Sequence, residues 1–146
     1  MSVKPIIFSD FDGTITERDV IVMIMDKFAP PEWTHIKAKI LYERTITLKD
    51  GVEKLFSLIE SSKKAQIIDF VKKEVKLRAG FIEFLDFCQA NEIRILIGDS
   101  LTDLAPSKVA DVVFARADLI KYLKEENISY IQFNDFYEVQ EQLRLT

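Results

Sequence analysis

Two short acidic clusters carry the chemistry of this 146-residue chain: Asp10-Phe11-Asp12-Gly13-Thr14 and Gly98-Asp99-Ser100-Leu101-Thr102-Asp103. Each follows a run that reads as a buried strand, Pro5-Ile6-Ile7-Phe8 before the first and Ile93-Arg94-Ile95-Leu96-Ile97 before the second. Residues two apart on extended backbone share a side. Asp10 and Asp12 are therefore expected together, with Phe11 turned into the core. If both strands belong to one parallel sheet, both clusters lie at carboxyl ends, where open α/β sheets place their ligands. Four converging carboxylates repel one another unless a cation is present, and oxygen ligands without His or Cys suit Mg²⁺. Asp10, Asp12, Asp99 and Asp103 are thus the candidate metal ligands. An isolated Asp-x-Asp is more often solvated turn chemistry; two such clusters, each directly after a strand, shift the weight towards catalysis.

The elements that must position these groups follow from spacing. Lys4 to Ser9 reads as strand, and Asp10 to Thr16 as a turn with Gly13 supplying backbone freedom. Almost everything from Asp19 to Ala90 reads as helix: Asp19 to Phe28, a second from Pro31, a third capped by Thr47, a fourth from Ser61 or Ser62, and a fifth from Phe81. Ile93 to Ile97 returns to strand. A short helix over Asp103 to Ala110 leads to a third strand, Asp111 to Phe114. A helix from Asp118 to Glu126, an extended Ile128 to Phe133 and a final helix from Phe136 to Leu143 complete the chain. This alternation predicts an α/β fold: a reduced, Rossmann-like parallel sheet with an all-helical cap insertion. Residues 1–16 and 79–146 form the expected core, and 17–78 the cap.

Composition narrows the class. The chain is 48% hydrophobic and 30% charged, which supplies a sizeable core and excludes a disordered or collagen-like chain. A net charge of −4 gives no general attraction to nucleic acid or anionic lipid. The single cysteine, Cys88, excludes an internal disulfide and suits a reducing cytoplasm. The longest apolar stretch, Val20 to Met25, is too short to span a bilayer, and no signal peptide is visible. His35, beside Trp33, reads as partly buried or cap surface; Cys88 reads as core; Lys49, Lys72, Lys73 and Lys76 read as solvated helix faces.

Ile6-Ile7-Phe8-Ser9-Asp10-Phe11-Asp12-Gly13-Thr14-Ile15-Thr16 resembles the first motif of the haloacid dehalogenase superfamily of phosphotransferases, and Gly98 to Asp103 resembles its fourth. Phe28-Ala29-Pro30-Pro31-Glu32-Trp33, together with Ala110 to Arg116 and Asp135 to Glu138, is similar to a methionine-salvage phosphatase branch acting on a small phosphorylated metabolite. The resemblance implies that Asp10 attacks phosphorus to give an aspartyl phosphate. It implies that Asp12 protonates the leaving oxygen and later deprotonates water. Mg²⁺ would be held by the Asp10 carboxylate, the Asp12 carbonyl and Asp99, with Asp103 orienting metal-bound water. Thr14 would help hold the phosphate or the loop.

Two motifs that the resemblance requires have no counterpart: a Ser or Thr for the phosphoryl group, and a Lys that neutralises nucleophile and phosphate. Asn91-Glu92 runs directly into the fourth-motif strand, as though some dozens of residues had been removed. Lys108 matches a further lysine of relatives rather than the catalytic one. Two readings follow, an impaired Mg²⁺-dependent phosphatase or an inactive scaffold that binds Mg²⁺ or phosphate without turnover. A receiver-like regulatory domain is disfavoured, because receivers lack a large helical insertion after the first strand. The deletion also predicts Lys4 to Ser9 parallel and adjacent to Ile93 to Ile97, and a homodimer or an exchanged segment covering the exposed sheet edge.

Overall fold

The computed structural model describes residues 5–98 and 110–145. Lys4, Asp99, Asp103, Lys108 and most of the expected helix from Asp103 to Ala110 lie outside these residues. The chain divides into two compact units, Met1–Ile15 with Leu77–Thr146, and Thr16–Lys76.

The first unit holds the strands. β1 (Ile6–Asp10) pairs in parallel with β2 (Arg94–Gly98), in a register that sets Ile6 against Arg94 and Asp10 against Gly98. This adjacency is the one expected from the shortened sequence. A second parallel pair joins β3 (Phe114–Ala115) to β4 (Ile131–Gln132). The paired part of the segment read as extended is thus only two residues long.

Helix α5 (Phe81–Ala90) and helix α7 (Phe136–Arg144) supply the core around Ile15, Phe81, Phe84, Cys88, Phe133, Phe136 and Val139. The Phe136 ring lies 5.0 Å from Phe81 and 5.3 Å from Phe84, a tight aromatic cluster. Ile7, Ile93 and Ile95 pack against this cluster. Helix α6 (Asp118–Glu125) buries Leu123 beside Ala115 of β3 and Val113 just before it.

Among the described residues, the strand expected to be buried is covered on one face. Ile6 is 46% exposed and Phe8 67% exposed. Both are apolar, as a sheet covered by helices on two faces requires. Among the described contacts, however, the core cluster of this unit meets only the Ile7 side. Period-two alternation then leaves Ile6 and Phe8 uncovered.

The second unit is all helical: α1 (Val20–Phe28), α2 (Trp33–Leu41), α3 (Leu48–Ser57) and α4 (Lys64–Glu74), the last preceded by a 3₁₀ turn at Ser61–Lys63. Asp19 caps α1 by accepting from the Val22 amide at 2.8 Å, and Thr47 caps α3 by accepting from Asp50 at 3.1 Å. Ile24, Met25, Trp33 and Leu55 form its core. The architecture is a reduced Rossmann-like α/β fold with an all-helical insertion.

Candidate active site

β1 ends at Asp10, and the chain turns at once. The Thr14 and Ile15 amides both donate to the Phe11 carbonyl, at 3.3 and 3.0 Å. Gly13 has φ +75°, a left-handed conformation that glycine adopts without steric cost. The turn explains a correction. Phe11 was expected in the core, yet it is 44% exposed. Backbone folded on the Phe11 carbonyl no longer alternates sides, and the side chain sent into the core is Ile15, which is fully buried.

Asp10, Asp12, Gly13 and Thr14 are half-buried. The Thr14 hydroxyl donates to Asp10 Oδ2 at 2.9 Å and so fixes one of the carboxylate oxygens. The register sets Gly98, which precedes Asp99 in the sequence, directly opposite Asp10. Asp10 and Asp12 therefore share one turn at the carboxyl end of β1. Asp99 and Asp103 lie outside the described residues, so their placement is not part of this geometry.

Among the described residues no three His, Cys, Asp or Glu side chains gather into a metal-holding group. The donor chemistry of the turn still fits a hard divalent cation, because its ligating groups are carboxylate and carbonyl oxygens only. Softer ligands sit elsewhere. Cys88 is 2% exposed in the core, where burial pushes its thiol up to about 11. His35 is exposed on α2; Lys49 on α3, Lys72 and Lys73 on α4, and Lys76 after α4 are exposed too.

Two arginines reach the same turn. Arg78 donates through Nε to the Thr14 carbonyl at 2.7 Å and through Nη2 to the Gly13 carbonyl at 3.0 Å. Arg116 donates through Nη1 to the Gly13 carbonyl at 2.9 Å. Sequence reasoning assigned neither a role. Their partners are backbone carbonyls, which leave no pattern in residue types. A shallow hollow lined by Phe114, Phe133, Asn134 and Glu138 contains none of the turn's residues.

No family profile matches the chain. Individual proteins do. A 2-hydroxy-3-keto-5-methylthiopentenyl-1-phosphate phosphatase of Brevibacillus brevis is 47% identical over 118 residues, 77% of this chain and 53% of the relative. That match therefore spans about half the length of the relative. The phosphatases of the same name from Geobacillus kaustophilus and Geobacillus thermodenitrificans are 32% identical over 210 residues and 31% identical over 215. The former covers 95% of both chains, the latter 99% of this chain and 97% of the relative. The excess of 210 aligned positions over 146 residues means that at least 64 positions of the G. kaustophilus relative face a gap here. Aligned almost end to end, the gap is internal, in keeping with the abrupt passage from Asn91 into β2. On this identity and coverage, the chain belongs to the 2-hydroxy-3-keto-5-methylthiopentenyl-1-phosphate phosphatase family, with an internal deletion.

Proposed function

We propose that this chain is a Mg²⁺-dependent phosphomonoester hydrolase of haloacid dehalogenase type, working more slowly than its full-length relatives. The observation that carries the reading is Asp10 at the carboxyl end of β1, opposite Gly98, with the Thr14 hydroxyl on its carboxylate. Asp10 attacks phosphorus, and the departing alkoxide takes a proton from Asp12. Asp12 then removes a proton from the water that cleaves the aspartyl phosphate. Asp10, Asp12 and Asp99 are the residues that would hold Mg²⁺, with Asp103 behind them. The ion, when bound, offsets carboxylate charge and that of the incoming phosphate. The substrate is a small phosphorylated metabolite, as the names of the relatives suggest, and the proposed compartment is the cytoplasm.

The slow rate follows from charge. Leaving aside Arg78 and Arg116, whose guanidiniums are engaged by the Gly13 and Thr14 carbonyls, three ionised carboxylates, Asp10, Asp99 and Asp103, sum with one dication to −1 before a phosphate dianion arrives. A missing cation at about 4 Å forfeits roughly 4 kcal/mol at an effective dielectric near 20. Spent entirely on the transition state, that is about a thousandfold in rate. The competing reading, an inactive scaffold that binds Mg²⁺ or phosphate without turnover, rests on the same absence. Hydrolysis of p-nitrophenyl phosphate with and without Mg²⁺, beside Asp10→Asn, separates them. Slow, Mg²⁺-dependent release that disappears in Asp10→Asn supports the phosphatase; release equal in both proteins overturns it, and no release in either leaves the scaffold.

A further inference from the structure

The nucleophile turn is held from outside by two side chains remote in sequence. Arg78 lies 64 residues from Thr14, and Arg116 lies 103 residues from Gly13. Arg78 is nearly buried, at 9% exposure, and applies two N–H groups of its planar fork to two successive carbonyls. The Gly13 carbonyl accepts from both guanidiniums. Lysine, a flexible point donor, cannot reproduce the two-pronged contact.

Two further features single out Arg116. Its Nε is buried and has no hydrogen-bond partner among the described residues, an uncommon state for a buried donor. The next residue, Ala117, has φ +50° and ψ −133°, a conformation that a residue with a Cβ rarely adopts. Such strain persists where the surroundings over-determine the backbone, and it concentrates at functional sites. Here it falls directly after the residue whose side chain grips the turn.

We propose that Arg78 and Arg116 form a guanidinium clamp that positions the nucleophile turn. By fixing the Gly13 and Thr14 carbonyls the clamp sets Thr14, and through the Thr14 hydroxyl it sets the Asp10 carboxylate. The clamp rests on the reading of Asp10 as nucleophile. Both arginines are positioning residues, and they also place two permanent positive charges at the turn of a chain that lacks the expected lysine.

The test combines amide hydrogen exchange with kinetics in full-length Arg116→Gln, Arg116→Lys and Arg78→Lys. In Arg116→Gln, exchange of the Thr14 and Ile15 amides accelerates at least about tenfold, while the Phe84 amide in α5 keeps its rate. With p-nitrophenyl phosphate, kcat falls at least about tenfold and KM changes less than about threefold. Arg116→Lys, which keeps one donor and the charge, recovers most of both losses. Arg78→Lys, which loses the fork, does not. Unchanged exchange at Thr14 and Ile15, local loosening with unchanged kcat, or acceleration at Phe84 to the same degree overturns the clamp. Turnover retained in Asp10→Asn overturns the nucleophile reading instead, and the exchange rates then judge the clamp alone, as they do in a protein without measurable turnover.

Discussion

Thr14 and Asp10 are joined across the turn by a side-chain bond of 2.9 Å, from the Thr14 hydroxyl to Asp10 Oδ2. Hydrogen bonds to a charged acceptor contribute about 1.5–3 kcal/mol. Thr14→Val removes the donor at nearly constant shape, and kcat is expected to fall about tenfold or more. Thr14→Ser keeps the hydroxyl and stays near the parent rate. Equal rates for Val and Ser at this position would count against the bond's role.

Asp10 and Asp12 share one turn, and the proposed Mg²⁺ would relieve repulsion between them in the native state alone. Millimolar Mg²⁺ is therefore expected to raise Tm by a few degrees, roughly 3–6 °C, as mass action on the folded state requires. Most of this shift disappears in Asp10→Asn. A melt that Mg²⁺ leaves unchanged argues against an assembled acidic site.

Gly80 begins α5 with φ +79°, and a Cβ built on it would stand 2.8 Å from the Tyr137 backbone nitrogen. Left-handed strain and a backbone clash act together in Gly80→Ala. We expect a loss of about 2–3 kcal/mol by urea unfolding. A change under about 0.5 kcal/mol would mean that Tyr137 moves aside without penalty.

Cys88 is 2% exposed, and burial holds its thiol up to about 11 from 9.0. Between those values the unfolded chain ionises and the folded chain does not. The stabilisation is complete below pH 9 and is lost as pH rises towards 11, by up to about 2–3 kcal/mol. Cys88→Ala is expected to show a shallower fall of stability over that window. Parallel curves for the two proteins would exclude the thiol as the cause.

Among the described residues the β1–β2 pair is a two-stranded sheet with Phe8 67% exposed on one face, and two-stranded sheets alone are marginal. We propose that a second copy of the chain covers this region, as open edges and apolar faces invite. Sedimentation at tens of micromolar is expected to give twice the monomer mass, and Phe8→Lys to return the monomer with unchanged circular dichroism. A parent chain monomeric at every concentration disposes of this pairing.

Much of the helical unit was legible because local rules decide it. Asp19 and Thr47 cap helices as their side-chain chemistry predicts. The adjacency of β1 and β2 was legible too, from a motif strand arriving too early in the sequence. What failed depended on what lies across a sheet or around a turn. Ile6 and Phe8 carry the composition of a doubly covered strand, but the described residues leave their face uncovered. Phe11 belongs to a turn whose geometry period-two reasoning does not describe. The two arginines were silent because guanidinium-to-carbonyl contacts over 64 and 103 residues impose no spacing on side chains.

The insertion is closed at its neck. The Arg78 amide donates to the Ile15 carbonyl at 2.7 Å, and the Glu17 amide donates to the Lys76 carbonyl at 2.9 Å. For the strand-bearing unit, the whole of Thr16–Lys76 is therefore one loop tied at its base. Closing a loop of this length costs on the order of 4 kcal/mol of chain entropy, and halving its length would return only about 0.6 kcal/mol. Because that penalty is logarithmic, the neck tolerates an insert of almost any size, provided the insert folds by itself. In chain entropy alone, a shorter or a longer insert whose ends meet costs the neck nearly the same.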